Sequence, residues 1–96
     1  MNLIFEWSEK KAKENLKKHR INFEEAKTIF NDPLSITFPD EYHSHLEQRY
    51  ISIGLSASSR LLLVAHTENQ GAEEEEIIHI ISSRKATPLE SRRYEE

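Results

Sequence analysis

The feature that most constrains this chain is a change of hydrophobic period at Asn31-Asp32-Pro33. Before it, apolar residues recur at helical spacing; after it, they alternate with polar ones. Ser8 can cap a first helix over roughly residues 9–19, with Ala12 and Leu16 on one face. Asn22, with Glu25 three residues on, opens a second helix through Phe23, Ala26, Ile29 and Phe30. Past the break, Leu34, Ile36 and Phe38 alternate with Ser35 and Thr37, and Pro39 stops that strand. Arg49 to Leu55 forms another, Leu61 to Ala65 reads as a central strand, and Ile77 to Ile81 is the last. Thr87-Pro88-Leu89-Glu90 combines an N-cap, a first-turn proline and a capping-box glutamate, so a short helix ends the chain.

Segregated helices and strands with short connections predict an α+β fold: two N-terminal helices, a four-stranded mainly antiparallel sheet and a C-terminal helix. The helices are expected on one sheet face, leaving the other open for a partner. The 96 residues suit one domain spanning 1–96. No apolar run reaches the roughly 20 residues that cross a bilayer, and charges from Glu6 onward argue against a secretory leader. Cysteine is absent, which removes disulfides and thiolate metal sites and makes the cytoplasm the default compartment.

A net charge of −4 is unusual for a nucleic-acid binder. The charge is segregated, however: residues 9–27 hold seven of the 13 lysines and arginines, while Glu73 to Glu76 is unbroken acid. Ile80-Ile81-Ser82-Ser83-Arg84-Lys85-Ala86-Thr87 runs from a strand into a helix N-terminus and delivers two cations at a place suited to phosphate.

Five histidines are present. His43 and His45, beside Asp40 and Glu41, read as a metal cluster or, more simply, as an exposed loop. His66 and His79 lie in strands, either bonded to backbone or available for acid–base work. Arg49 opens a strand and Arg84 ends one, so the pair can clamp a phosphate if both reach one rim. Trp7 either stacks on a base or anchors the first helix in the core. No phosphate loop, nucleophile elbow or zinc motif is present. RNA cleavage by such a chain is expected to need no metal or other cofactor. The 2′-hydroxyl attacks the adjacent phosphorus while side chains move protons and hold charge.

The chain resembles the BrnT family of bacterial toxins nearly end to end. The resemblance rests on Phe5-Glu6-Trp7, Lys11-Ala12, Asn15, Lys18-His19, Phe23-Glu24-Glu25-Ala26, Phe30 and Asp32-Pro33. It continues through Arg49-Tyr50, Gly54, Val64-Ala65-His66-Thr67-Glu68 and Ile80 to Thr87, with Glu90 and Tyr94 last. It implies a RelE-like ribonuclease toxin of a type II toxin–antitoxin system, neutralised by a BrnA-like antitoxin in a heterotetramer. Operator DNA would be met only through that antitoxin. It further implies catalytic roles for Arg49, His66, Glu68 and Arg84, with the arginines on phosphate and His66 with Glu68 on protons. RNA-binding roles fall to Trp7, Lys18, His19 and Lys85. Three features depart from the family pattern. Arg20 stands where glycine is common, Ile77 and His79 stand where arginines are common, and the acidic run precedes the last strand. The alternative is a catalytically weak binding module that serves as antitoxin partner and co-repressor.

Overall fold

Each N-terminal helix begins at its expected cap. The Ser8 hydroxyl accepts from the Lys11 N–H at 3.3 Å and the Asn22 side chain from the Glu25 N–H at 2.7 Å. A computed structural model describes residues 2–96. In chain order the elements are β1 (Asn2–Glu6), α1 (Glu9–His19), α2 (Phe23–Ala26), β2 (Ile36–Pro39), β3 (Tyr50–Leu55), β4 (Leu61–Gln70), β5 (Glu75–Lys85) and α3 (Pro88–Glu95). A 3-10 turn at Lys27–Asn31 extends α2. At α3 the capping box forms as expected, with Thr87 and Glu90 each bonding the other's backbone N–H.

α1 ends on Arg20, whose φ of 61° and ψ of 33° are left-handed. That conformation is one glycine adopts at no steric cost, so Arg20 holds it under mild strain.

The sheet order is β1-β5-β4-β3-β2. β2 to β5 pair antiparallel as expected, but the sheet has a fifth strand: β1 pairs parallel with β5. The sheet is therefore mixed. The helical segment carries the chain from the β1 edge to the β2 edge across one face. Its residues Ile21, Phe23, Ala26 and Ile29 bury against Leu62, Val64, Ile78 and Ile80. Gly54 lets the 3-10 turn lie close, since a Cβ there would stand 3.0 Å from the Cβ atoms of Ile29 and Ser35.

The helices do not all share one face. Directly opposed residues of neighbouring strands present their side chains on the same side. Phe38 opposes Ile51 and Ile51 opposes Ala65, on the side away from Val64. Arg93 of α3 sits 4.2 Å over the Phe38 ring, so α3 packs on that second face and covers part of it. The Tyr94 hydroxyl pins it by donating to Asp32 at 2.5 Å. Asp32 also accepts from the N–H groups of Leu34 and Leu55. Burial opposes ionisation of Asp32, but these donors outweigh it and hold the carboxyl below its usual range.

Candidate nucleic-acid interface

The sheet is a wall, and it divides the expected catalytic residues. His66 opposes Tyr50 and Ile80 on the α1/α2 face. It has no exposed surface, and its ring meets Phe30 edge-on at 5.1 Å. Its Nε2 bonds Ser52 Oγ at 2.7 Å, and Ser52 Oγ bonds Thr37 Oγ1 at 2.6 Å. Nδ1 has no hydrogen-bond partner among the described residues; Glu68 Oε2 lies 3.8 Å away, beyond bonding reach. Burial pushes the His66 pKa down to about 4, so the ring is neutral at pH 7. Glu68 has its pKa raised by burial and, secondarily, by Glu76.

The two arginines belong to the opposite face. Arg84 opposes Leu63, on the side away from Leu62 and Val64. Arg49 immediately precedes Tyr50, and its carbonyl accepts from the Asp40 N–H at 2.8 Å, which continues the β2–β3 ladder by one step. Alternation thus places Arg49 level with Thr67. Thr67 opposes His79, and His79 opposes Glu6. Four strands therefore contribute one row on this face: Glu6, His79, Thr67, Arg49. The His79 Nδ1 to Glu6 Oε2 distance is 3.6 Å.

Arg84 lies four residues along β4 from this row and two strands from Arg49. Those steps are roughly 13 and 10 Å, or about 16 Å between backbones. Two arginines so spaced on one face can engage the same nucleic-acid strand. Arg84 is not idle in the meantime. Its guanidinium forks onto Glu90 at 2.8 and 2.9 Å, and that contact is the leading reason the Glu90 pKa falls to about 2.

The third cluster lies at an edge. β1 pairs with β5 only as far as His79, so among the described residues no strand flanks Ile80 to Lys85 on the side away from β4. Asn15 of α1 takes the strand's place. Its amide donates to the Ser83 carbonyl at 2.9 Å and the Ile21 carbonyl at 3.0 Å, and accepts from the Ser83 N–H at 3.0 Å. Beside it runs a groove of about 230 Å³ whose lining includes Lys11, Glu14, Lys18, His19 and Ser82. Lys18 and His19 are thereby brought to β5, where Lys85 stands exposed at the strand end. Trp7 is elsewhere: it is half-buried before α1, with its ring 5.8 Å from Phe23. His43 bonds Asp40 at 2.9 Å in the loop before β3, and His45 is exposed in the same loop.

Glu6, His79 and Asn15 gain meaning only in three dimensions. No local pattern marks Asn15 as a strand surrogate, and no alternation marks Glu6 as the neighbour of a histidine 73 positions on (79 − 6).

Residues 7–90 match the family model described as the ribonuclease toxin BrnT of type II toxin–antitoxin systems. The fold is similar to that of the Brucella abortus ribonuclease toxin BrnT, at 21% identity and a TM-score of 0.62, covering 91% of this chain and 99% of that one. A search of curated proteins gives no significant match.

Proposed function

The chain belongs to the BrnT family of ribonuclease toxins of type II toxin–antitoxin systems, and from that premise we propose that it cleaves RNA without a metal ion. The observation that carries the reading is the placement of Arg49 and Arg84 on one partly covered sheet face, with Lys18, His19 and Lys85 at its edge. RNA follows the basic edge of β5 and turns its scissile phosphate toward that face. There the 2′-hydroxyl attacks phosphorus, and Arg49 and Arg84 hold the charge that develops on the phosphoryl oxygens. Arg84 exchanges its carboxylate partner for phosphate, a substitution of one bidentate acceptor for another. His66 and Glu68 act through the wall: His66 ties β4 to β3 via Ser52, and Glu68 fills the space at its Nδ1. Trp7 sets the start of α1 and so the position of Lys18 and His19.

Membership of a type II family implies an antitoxin partner. We propose a BrnA-like protein, joined in a heterotetramer that alone reaches operator DNA, acting in the cytoplasm with residues 1–96 as one toxin domain. Among the described residues, no helix is long and apolar enough to cross a membrane. The second reading, a weak nuclease kept as co-repressor, is favoured by the Glu90 carboxylate already seated on Arg84. Regulated expression separates the two. An active toxin slows bacterial growth and degrades RNA, and coexpression of the adjacent gene reverses both effects. Normal growth with intact RNA at verified soluble expression favours the co-repressor.

A further inference from the structure

We infer that His79, backed by Glu6, is the base that removes the proton from the attacking 2′-hydroxyl. The inference rests on the ribonuclease reading above and supplies the proton acceptor that reading leaves open. His66 is walled off, with no exposed surface. His19 lines the α1 groove, and His43 and His45 occupy the loop before β3. His79 alone among the histidines shares the face and the row of Arg49, with a side chain 38% exposed.

The geometry around it fits a base. Glu6 Oε2 stands 3.6 Å from Nδ1, just outside hydrogen-bond reach, and a small side-chain shift would let it accept an Nδ1–H and leave the Nε2 lone pair free. Contacts of this kind tighten when substrate binds. Other groups facing His79 are few. Thr67 is its neutral neighbour on β4, Arg49 follows on β3, and Arg84 with Glu90 lies toward the α3 end. In the step, Nε2 takes the 2′-hydroxyl proton as the 2′-oxygen bonds to phosphorus and the phosphorus–5′-oxygen bond breaks. Water protonates the departing 5′-oxygen, and the imidazolium returns its proton to the resulting hydroxide. The products are a 2′,3′-cyclic phosphate and a 5′-hydroxyl, so atoms and charge balance with no other reactant.

Arginine makes the test sharp, because it is permanently charged and cannot act as a base. Purified wild type, His79→Gln, His79→Arg and Glu6→Gln are assayed on a short single-stranded RNA for cleavage and, separately, for binding. Both His79 variants are expected to lose 10²-fold or more in cleavage. His79→Arg is expected to bind RNA at least as well as wild type. Glu6→Gln keeps the base and is expected to lose roughly 10-fold or more in kcat with KM unchanged, a loss that Glu6→Asp restores in part. A merely structural Glu6 would show no such split between kcat and KM. An active wild type with an equally active His79→Arg overturns the inference alone. A wild type that binds RNA but never cleaves it overturns the ribonuclease reading and the inference together.

Discussion

Lowering the pH from 7 to 5 should destabilise this fold through one residue, His66. The ring is completely buried on the α1/α2 face, and burial moves its pKa from the usual 6.5 to about 4. Below pH 6.5 the unfolded chain takes up a proton at this position that the folded chain refuses. Stability is therefore full above 6.5 and falls as the pH drops toward 4. A difference of about 2.5 units corresponds to roughly 3 kcal/mol once both states are protonated, of which about 2 kcal/mol is lost between pH 7 and 5. Other groups act in different directions or windows. Glu90, depressed to about 2 mainly by Arg84, loses its contribution only as the pH falls below 4.5. Glu68, raised by burial, favours the folded state as the pH falls and so opposes His66. His66→Gln keeps a hydrogen-bonding group for Ser52 but cannot titrate. Urea unfolding followed by the fluorescence of Trp7, the single tryptophan, provides the assay. With a urea dependence of about 1–2 kcal/mol per molar, the wild-type midpoint should fall by roughly 1–2 M between pH 7 and 5. The His66→Gln midpoint should hardly move. An equal fall in both proteins would refute the assignment of this acid sensitivity to His66.

Alanine at Arg84 or Arg49 should lower RNA cleavage about 10²-fold or more, and lysine should restore it only in part because it lacks the planar fork; unchanged rates in folded alanine variants would remove both from the chemistry. Asn15→Ala should destabilise by about 3 kcal/mol in urea titrations, since it orphans both polar groups of Ser83 at a buried edge; Asn15→Asp should not rescue, because a carboxylate cannot donate to carbonyls. Arg20→Gly should stabilise by about 1 kcal/mol, read as a rise in melting temperature of a few degrees, by relieving the left-handed backbone. Converting Glu73 to Glu76 to glutamine should tighten binding of long RNA at low salt and leave a dinucleotide unaffected; equal effects on both ligands would contradict that geometry.

The helices were legible because their caps are local: Ser8, Asn22 and Thr87 each bond an N–H three residues away. β1 was not legible. Its residues are nearly all exposed, and its parallel partner enters only at Glu75. Nor do strand lengths follow from apolar runs, since β5 reaches from Glu75 to Lys85 across polar positions at both ends. The hardest feature was the face of each residue. Simple alternation puts His79 and Arg84, five positions apart, on opposite sides. A bulge pairs Ala65 with Ser82 but His66 with Ile80, so Ile81 is an extra residue that returns His79 and Arg84 to one face. The same reasoning separates His66 from Arg84, although both belong to the pattern that identifies the family. A sequence motif records which residues occur together, whereas a sheet decides which of them can touch the same ligand.

Net charge is a poor guide here for a reason the fold makes explicit. Glu76 and Arg84 lie on one strand, eight positions apart (84 − 76), which is about 26 Å at 3.3 Å per residue. That is roughly three Debye lengths at physiological salt, so exposed charge at one end is almost unfelt at the other. The excess acid of the chain is gathered at the β4–β5 turn, where burial and then the neighbouring Glu76 raise the pKa of Glu68. Cations gather at the far end, where α1 brings Lys11 and Lys18 beside β5. A compact ligand at the Arg84 end meets a basic surface despite the −4 of the whole. A long polyanion must leave that end before reaching the acidic one. Segregation of charge along a single strand would thus let the proposed nuclease bind phosphate locally without RNA coating the whole sheet.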